Sequence, residues 1–203
     1  DDATSRIGFS EVNQLLGTGN LYSQSSTRPG YRDDALRYTL LRSRRVFRYQ
    51  PGRISGFTFG TRVAREFIGG FKLEWGIFNE TDHYVFQMSN GFVNIVRRSK
   101  MPLEQSSVER SGMEMADQKY VISPDPFDNK QSATNPDGDE SYFYELVIPQ
   151  DKFNGDKLNG TGDSGHTAVP ENITMWKIEF GWYGAIGARF YAYIPTGNGD
   201  ARW

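Results

Sequence analysis

Three glutamates stand in short aromatic stretches, and they are the residues best suited to acid–base chemistry. Glu74 lies in FKLEWGIF, Glu145 in YFYELV and Glu179 in KIEFGW. A glycosidase needs one carboxyl group as acid and a second on the other side of the sugar bond. Sandwich glycosidases place such acids at alternate positions of one strand. Because each glutamate here stands alone in its strand, we expect each to face outward and predict no hydrolytic centre.

Other nucleophiles and metal ligands are equally sparse. The two histidines, His83 and His166, lack a zinc-binding spacing, and we expect each imidazole to be exposed or hydrogen-bonded. Ser164 lies in Gly162-Asp163-Ser164-Gly165, without the strand, turn and helix that expose a nucleophile. The sequence has no cysteine, which excludes disulfides and thiolate chemistry. We therefore predict a non-enzymatic protein with no catalytic residues and no cofactor.

One acidic stretch has the composition of a calcium loop. Asp137-Gly138-Asp139-Glu140, with Asp125 and Asp128 before it, concentrates oxygen ligands that calcium accepts. The twelve-residue helix–loop–helix calcium pattern is absent, so we expect a solvated acidic turn and predict no metal site. The glycine-rich stretches GTGN and NGTGDSG precede no lysine-bearing helix start, which argues against a phosphate cradle.

Charge and hydropathy narrow the choice of partner. The chain has 203 residues and a formal net charge of -2, so no overall field favours nucleic acid or an anionic membrane. No apolar run approaches the roughly 20 residues that span a bilayer. Eight arginines lie between Arg28 and Arg53, and we expect them to contact acidic groups of a neighbouring subunit rather than nucleic acid.

Period-two patterning dominates the stretch MWKIEFGWYGAIGARFYAYI, residues 175–194. Trp176, Ile178, Phe180 and Trp182 share one parity, and after a glycine-bounded loop Ala188, Phe190, Ala192 and Ile194 continue on one face. This pattern predicts a core hairpin. Its opposite face, with Arg189, Tyr191 and Tyr193, is predicted to be free to contact a partner.

Similar runs predict the other strands of an all-β, antiparallel sandwich. They cover residues 54–61, 71–78, 83–88, 92–98 and 142–149. Asn90-Gly91 predicts a tight type I′ turn within a three-stranded meander. Residues 101–141 are expected to form an irregular excursion over the surface. We predict an irregular N-terminal arm over 1–41, in which 33–41 is either a short helix or a strand, and one sandwich domain over 42–203.

Three segments in the same order resemble a domain of virion structural proteins from tailed phages, notably marine cyanophages, and some large DNA viruses. The segments are residues 48–63, 69–99 and 151–194. Their shared motifs include Pro51-Gly52-Arg53, Val96-Arg97-Arg98-Ser99, the Asn-Gly-Asp-x-Leu-Asn-Gly-Thr-Gly run at 154–162, and the aromatic stretch from Trp176 to Phe190. The resemblance spans roughly residues 45–195.

The resemblance implies a concanavalin-like jelly roll displayed on or built into a virus particle, with no catalytic residues. We therefore expect a capsid, tail or fibre component located in the virion, partnered by copies of itself or other virion proteins, without nucleic-acid binding or membrane insertion. The alternative is a carbohydrate-binding module that recognises host glycan. The candidate partner or glycan contacts are Arg189, Tyr191, Tyr193, Trp75, Trp182, Asp137, Asn159 and Asp163.

Overall fold

The computed structural model describes residues 6–7, 10–14, 21–25, 39–40, 52–63, 72–79, 81–109, 111–122, 142–181, 187–195 and 200–203. The chain divides into two compact units. The first comprises Asp1–Arg48 and Ile122–Tyr142, and the second comprises Tyr49–Val121 and Phe143–Trp203. The predicted arm, residues 1–41, falls within the first unit.

Strands dominate the described residues of both units. They are β1 (Arg6–Ile7), β2 (Ser10–Gln14), β3 (Leu21–Ser25), β4 (Thr39–Leu40), β5 (Ile54–Thr61), β6 (Lys72–Phe78), β7 (Asp82–Ser89), β8 (Phe92–Ser99), β9 (Lys119–Ile122), β10 (Tyr142–Ile148), β11 (Thr174–Gly181), β12 (Arg189–Pro195) and β13 (Ala201–Arg202). One short helix, α1 (Gln105–Glu109), and 3₁₀ turns at Met115–Asp117 and Gln150–Lys152 complete the described elements.

In the first unit, two short antiparallel pairs are described. β1 pairs with β4, and β2 pairs with β3. Thr39 and Leu40 therefore belong to a strand, which favours the strand alternative at the end of the 33–41 segment. The other residues of that segment lie outside the described part of the chain.

The second unit contains two sheets. The five-stranded sheet has the order β6-β7-β8-β10-β9, and the four-stranded sheet has the order β13-β12-β11-β5. The predicted meander is confirmed, because β7 pairs antiparallel with both β6 and β8. The predicted core hairpin is also confirmed as the antiparallel pair of β11 and β12, although its connection at 182–186 lies outside the described residues.

The turn between β7 and β8 shows why the register of the meander is fixed locally. Asn90 has a φ of 52° and Gly91 a φ of 82°, which is the left-handed pair that a type I′ turn requires. Ser89 and Phe92 face each other across this turn. The alternation of side chains then places Phe86, Met88 and Val93 on one face of the sheet.

The main core lies between the two sheets. Its buried members are Val63, Trp75, Phe86, Met88, Val93, Leu158, Trp176, Ile178 and Ile194. Trp75 and Trp176 meet with ring centroids 5.5 Å apart, and Phe86 packs edge-on against Phe190 at 5.2 Å. Trp176 also donates a hydrogen bond from Nε1 to Thr61 Oγ1 at 2.7 Å. The all-β, antiparallel sandwich predicted from the sequence is thereby confirmed.

A second, smaller core corrects the expectation of an irregular excursion from 101 to 141. Leu103, Val108 and Leu146 are buried together, with Met113 and Ile148 packed against them. Helix α1 and strand β9 lie within this stretch. The sequence did not reveal them because their apolar residues are too sparse to form a period of two or 3.6.

Within the described part of the chain, no helix is both long and apolar enough to cross a membrane.

Candidate functional site

The surface of the four-stranded sheet that points away from the core is the first candidate site. We call it the outer face, and it comprises Ile54, Gly56, Thr58 and Gly60 on β5, Met175, Lys177 and Glu179 on β11, Arg189, Tyr191 and Tyr193 on β12, and Trp203 beyond β13. The register pairs Met175 with Tyr193, Lys177 with Tyr191, and Glu179 with Arg189. The structure thus brings together the three predicted contact residues of β12.

A lysine organises the aromatic side of the outer face. The Lys177 Nζ atom lies 4.8 Å from the ring centroid of Tyr191 and 5.1 Å from that of Trp203. The Tyr193 and Trp203 rings are 5.1 Å apart at an angle of 53°. Cation–π contacts of this kind are worth about 0.5–1 kcal/mol at exposed sites. Lys177 therefore contacts two of the three aromatic rings on this face, Tyr191 and Trp203, and Trp203 in turn contacts Tyr193.

Glycines flatten the opposite side of the outer face. A Cβ added to Gly56 would lie 3.5 Å from Glu179 Cγ, and one added to Gly60 would lie 3.0 Å from Met175 Sδ. The β11 side chains therefore lie across the bare backbone of β5. Exposed apolar groups remain at Ile54, Met175, Tyr193 and Trp203, with exposed fractions of 54%, 40%, 42% and 44%.

The charged side chains of the outer face partly neutralise one another. Lys177 Nζ lies 2.9 Å from Glu179 Oε1, and the hydrogen bond from Lys177 lowers the pKa of Glu179 despite some desolvation. Tyr191 and Arg189 lower the same pKa further. Arg189 is exposed. The two cations and one carboxylate leave this face with a small positive charge at neutral pH.

A buried ion-pair cluster on the five-stranded sheet is the second candidate. Arg98 Nε donates to Glu145 Oε2 at 2.6 Å, and its Nη1 donates to Glu74 Oε2 at 2.7 Å. Nη2 donates to Glu74 Oε1 at 2.5 Å, and Gln87 Nε2 donates to the same oxygen at 2.6 Å. We call these four residues the Arg98 cluster. They lie on the sheet face directed away from the main core, where Arg98 pairs with Glu145 and Glu74 pairs with Gln87.

Burial makes the Arg98 cluster electrostatically strong. The side chains of Arg98, Glu145 and Glu74 are 9%, 13% and 29% exposed. Desolvation alone would raise the pKa of Glu74, but the hydrogen bonds and charge of Arg98 outweigh it, so the pKa lies below its usual value. Desolvation would likewise lower the pKa of Arg98, yet the two glutamates raise it. Glu74 and Arg98 are therefore both ionised at neutral pH.

Glu74 and Glu145 lie on the face away from the main core, as expected, but the expectation that each stands alone is wrong. They come from strands separated by β7 and β8, and one guanidinium joins them. A general acid needs a raised pKa, whereas Glu74 has a lowered one. The arrangement suits a structural clamp between strands better than proton transfer.

The glycine-rich motif at 154–162 forms part of a loop that satisfies its own polar groups. Asp156 accepts hydrogen bonds from the amides of Leu158 at 2.8 Å and Ser164 at 2.7 Å. Burial opposes ionisation of Asp156, but the hydrogen bonds from Ser164 and Leu158 lower its pKa overall. A Cβ on Gly162 would lie only 2.5 Å from Asp156 Oδ1, so a larger residue there would displace the Asp156 carboxylate from its hydrogen bonds. Asn159 and Asp163, two of the predicted contacts, are exposed on this loop.

The remaining predictions from the sequence have different outcomes. Trp75 is 9% exposed and lies in the main core, so its proposed role as a glycan platform is wrong. Trp182 and Asp137 lie outside the described residues, as does the acidic stretch at 125–140. His83 is buried, with Nε2 3.2 Å from the carbonyl oxygen of Asn79, in agreement with a hydrogen-bonded imidazole. In the described ranges, His, Asp and Glu form no group of three suited to a metal ion.

Fold and sites together define the class of the second unit, an antiparallel β-sandwich with one ordered aromatic face and one buried ion-pair cluster. No family model, curated protein or solved structure matches the chain.

Proposed function

We propose that this chain is a non-enzymatic structural protein of a virus particle, a capsid, tail or fibre component, and that its outer face binds copies of itself or other virion proteins. The ordered, partly apolar outer face is the observation that carries this proposal. We also propose that the sandwich has the concanavalin-like jelly-roll topology that the resemblance implies.

The composition of the outer face supports a protein contact. Tyrosine, tryptophan, methionine and arginine are enriched at protein interfaces, and all four occur here at Tyr193, Trp203, Met175 and Arg189. Within one chain Lys177 already contacts the Tyr191 and Trp203 rings, which favours one arrangement of these rings before a partner binds. Preordered side chains lose less conformational entropy on binding, so this face is suited to a stable contact.

The positions of the resembling motifs support the sandwich fold that the resemblance implies. The three segments, 48–63, 69–99 and 151–194, contain β5, β6 to β8, and β11 with most of β12. They also contain the loop around Asp156. The motifs therefore coincide with the residues that build the sandwich, as expected when a likeness reflects a shared fold.

Oligomeric state tests the proposed contact. Light scattering of the full chain is expected to give a mass above that of one copy, and the double variant Tyr193→Ser, Trp203→Ser is expected to shift it toward one copy. Phe92→Ser is the matched control, because Phe92 is 64% exposed but lies on the other sheet. A single-copy mass for the unaltered chain at all concentrations, both alone and mixed with purified particle proteins, would count against the proposal. Electron microscopy of the particle then tests the virion location.

A carbohydrate-binding role is the second candidate, favoured by the exposed rings of Tyr193 and Trp203. Aromatic rings pack against the apolar faces of sugars, and these two lie side by side on the outer face. A glycan array probed with the unaltered chain and with Trp203→Ala tests this role. Binding that is lost in Trp203→Ala and kept in Phe92→Ser would support it, and no binding to any glycan would exclude it for the sugars tested.

A further inference from the structure

Asn-Gly sequences carry a chemistry of their own, because glycine has no side chain to shield its amide nitrogen. That nitrogen can attack Cγ of the preceding asparagine. A bond from nitrogen to Cγ forms, the bond from Cγ to Nδ2 breaks, and the amide hydrogen leaves with Nδ2 as ammonia. Water then opens the five-membered succinimide to aspartate or isoaspartate. The reaction consumes only water and involves no oxidation or reduction.

Three Asn-Gly pairs lie in the described residues: Asn90-Gly91, Asn154-Gly155 and Asn159-Gly160. A fourth, at 198–199, lies outside them. The peptide sequences alone do not rank the three pairs, since each has the same reactive dipeptide. The hydrogen bonds and backbone conformations of the three pairs in the folded protein do rank them.

Hydrogen bonds restrain both reacting groups of Asn159-Gly160, the Gly160 amide and the Asn159 side chain. The Gly160 amide donates to the carbonyl oxygen of His166 at 3.0 Å, so the nucleophile is engaged. Asn159 Oδ1 accepts hydrogen bonds from the amide and the hydroxyl of Thr161, at 3.0 and 2.6 Å. Asn159 also forms a β-bridge with Thr167. Ring closure there requires several hydrogen bonds to break first.

Asn90-Gly91 is restrained by its turn. Both residues have positive φ, and the ladder of β7 and β8 closes directly on either side through Ser89 and Phe92. Swinging the Gly91 nitrogen toward Asn90 Cγ would require this turn to change conformation. The cost of opening the end of the hairpin slows the reaction.

Asn154-Gly155 has none of these restraints. Both residues are exposed, and they follow the 3₁₀ turn that ends at Lys152. Among the described residues, no hydrogen bond engages the Asn154 side chain or the Gly155 amide, and a Cβ placed on Gly155 would meet nothing within 4 Å. The Asn154 side-chain amide, which is the electrophile, and the Gly155 amide nitrogen, which is the nucleophile, are therefore both unhindered and accessible to water.

We propose that Asn154 is a site of spontaneous, structure-directed deamidation, which converts the Asn-Gly-Asp start of the 154–162 motif into an aspartyl or isoaspartyl form. The product adds one negative charge two residues before Asp156, whose carboxylate anchors the loop. An isoaspartyl linkage would also insert an extra backbone carbon at the entrance of the loop. The folded protein thus acquires a chemical heterogeneity at one defined position.

Peptide mapping by mass spectrometry tests this proposal on the full folded chain during incubation at mildly alkaline pH. Trypsin cleavage after Lys152 and Lys157 isolates Asn154 from Asn159, so that each site reports separately. We expect conversion at Asn154 to be about tenfold or more faster than at Asn159, because the hydrogen bonds at Asn159 must break first. In urea-unfolded chain the two rates should converge.

Gly155→Ala is the matched variant. Its new methyl group meets open space, so the fold is kept, while the same methyl group shields the attacking nitrogen. Conversion at position 154 should fall severalfold in this variant and stay unchanged at Asn159. Equal rates at both sites in the folded chain, or a rate at Asn154 that Gly155→Ala does not alter, would overturn the proposal.

Discussion

Two pentapeptides of nearly identical pattern, KLEWG at 72–76 and KIEFG at 177–181, end in different environments. Each places its glutamate on the sheet face away from the main core and its neighbouring apolar residues toward it. Glu74 joins the Arg98 cluster, where Arg98 reaches it from two strands away. Glu179 instead pairs with Lys177 of its own strand on the outer face.

The difference teaches that the strand pattern decides only which face a side chain takes. What the side chain meets there depends on the strands beside it. β6 is flanked by β7, which supplies Gln87, and beyond it β8 supplies Arg98. β11 is flanked by β5, which supplies the bare glycines Gly56 and Gly60. The two carboxylates are similarly exposed, at 29% for Glu74 and 26% for Glu179, but their cations differ: Arg98 is 9% exposed and Lys177 is 22% exposed.

The largest expected effect comes from removing the cation at each glutamate. Arg98→Met removes a guanidinium that is 9% exposed and leaves two carboxylates without their counter-charge, of which Glu145 is only 13% exposed, and we expect a loss of about 3–5 kcal/mol in the free energy of unfolding. Lys177→Met removes a partner that is 22% exposed from a carboxylate that is 26% exposed, and we expect a loss below about 1 kcal/mol. Urea unfolding of both variants measures the contrast, and losses of similar size would refute it.

The next effect concerns two glycines, one in each sheet. A Cβ on Gly76 would lie 2.3 Å from the carbonyl oxygen of Tyr84 and 2.8 Å from Val85 Cα. Because these are backbone atoms, we expect Gly76→Ala to cost about 1–3 kcal/mol or more. Gly56→Ala meets only Glu179 Cγ at 3.5 Å and should be neutral or stabilise by up to about 1 kcal/mol. Thermal unfolding followed by circular dichroism would separate the two variants, and a stable Gly76→Ala would contradict the close strand approach.

Acid should weaken the Arg98 cluster in a predictable direction. The folded state holds the pKa of Glu74 below its ordinary value of 4.5, so the group contributes its full stability above that pH. As pH falls through the folded pKa, that contribution is lost. We expect the free energy of unfolding to fall less steeply below about pH 4.5 in Glu74→Gln than in the unaltered chain. Parallel slopes for the two proteins would show that Arg98 does not stabilise the ionised form.

The smallest effect is the response to salt. A double-mutant cycle for Lys177 and Glu179 should give a coupling of about 0.2–1 kcal/mol at low ionic strength, falling toward zero in about 1 M NaCl. The coupling between Arg98 and Glu145 should change little, because their side chains are only 9% and 13% exposed. Equal salt sensitivity of the two couplings would mean that the Arg98 cluster is more open than its contacts indicate.

Much of the sandwich could be predicted from the sequence because its signals are local. Asn90-Gly91 set the turn, and alternation in 175–194 placed Trp176 and Ile178 inward and Tyr191 and Tyr193 outward. The small core of Leu103, Val108 and Leu146 could not be predicted, because its residues are scattered and meet only after folding. The prediction of a surface role for Trp75 is wrong because an aromatic residue has the same appearance in the sequence whether it binds a ligand or fills a core.

The candidate sites show the same limit. The alternation of residues 188–194 predicts Arg189, Tyr191 and Tyr193, whereas no local pattern marks Lys177 and Trp203, which complete the outer face. The Arg98 cluster carried no sequence signal except that Arg98, Glu74 and Glu145 all lie on predicted strands. No spacing rule links residues on β6, β8 and β10.

The sequence by itself determined the strand parity, the tight turn, the absence of cysteine chemistry and the two-sided character of β11 and β12, because each depends on residues within a few positions of one another. The tertiary structure alone decided that Glu74 and Glu145 share one arginine, that Trp75 is a core residue, and that Asn154 is open while Asn159 is held. These outcomes depend on pairing between strands and loops far apart in the chain. The energy of such contacts appears only when the partners are brought together and water is excluded.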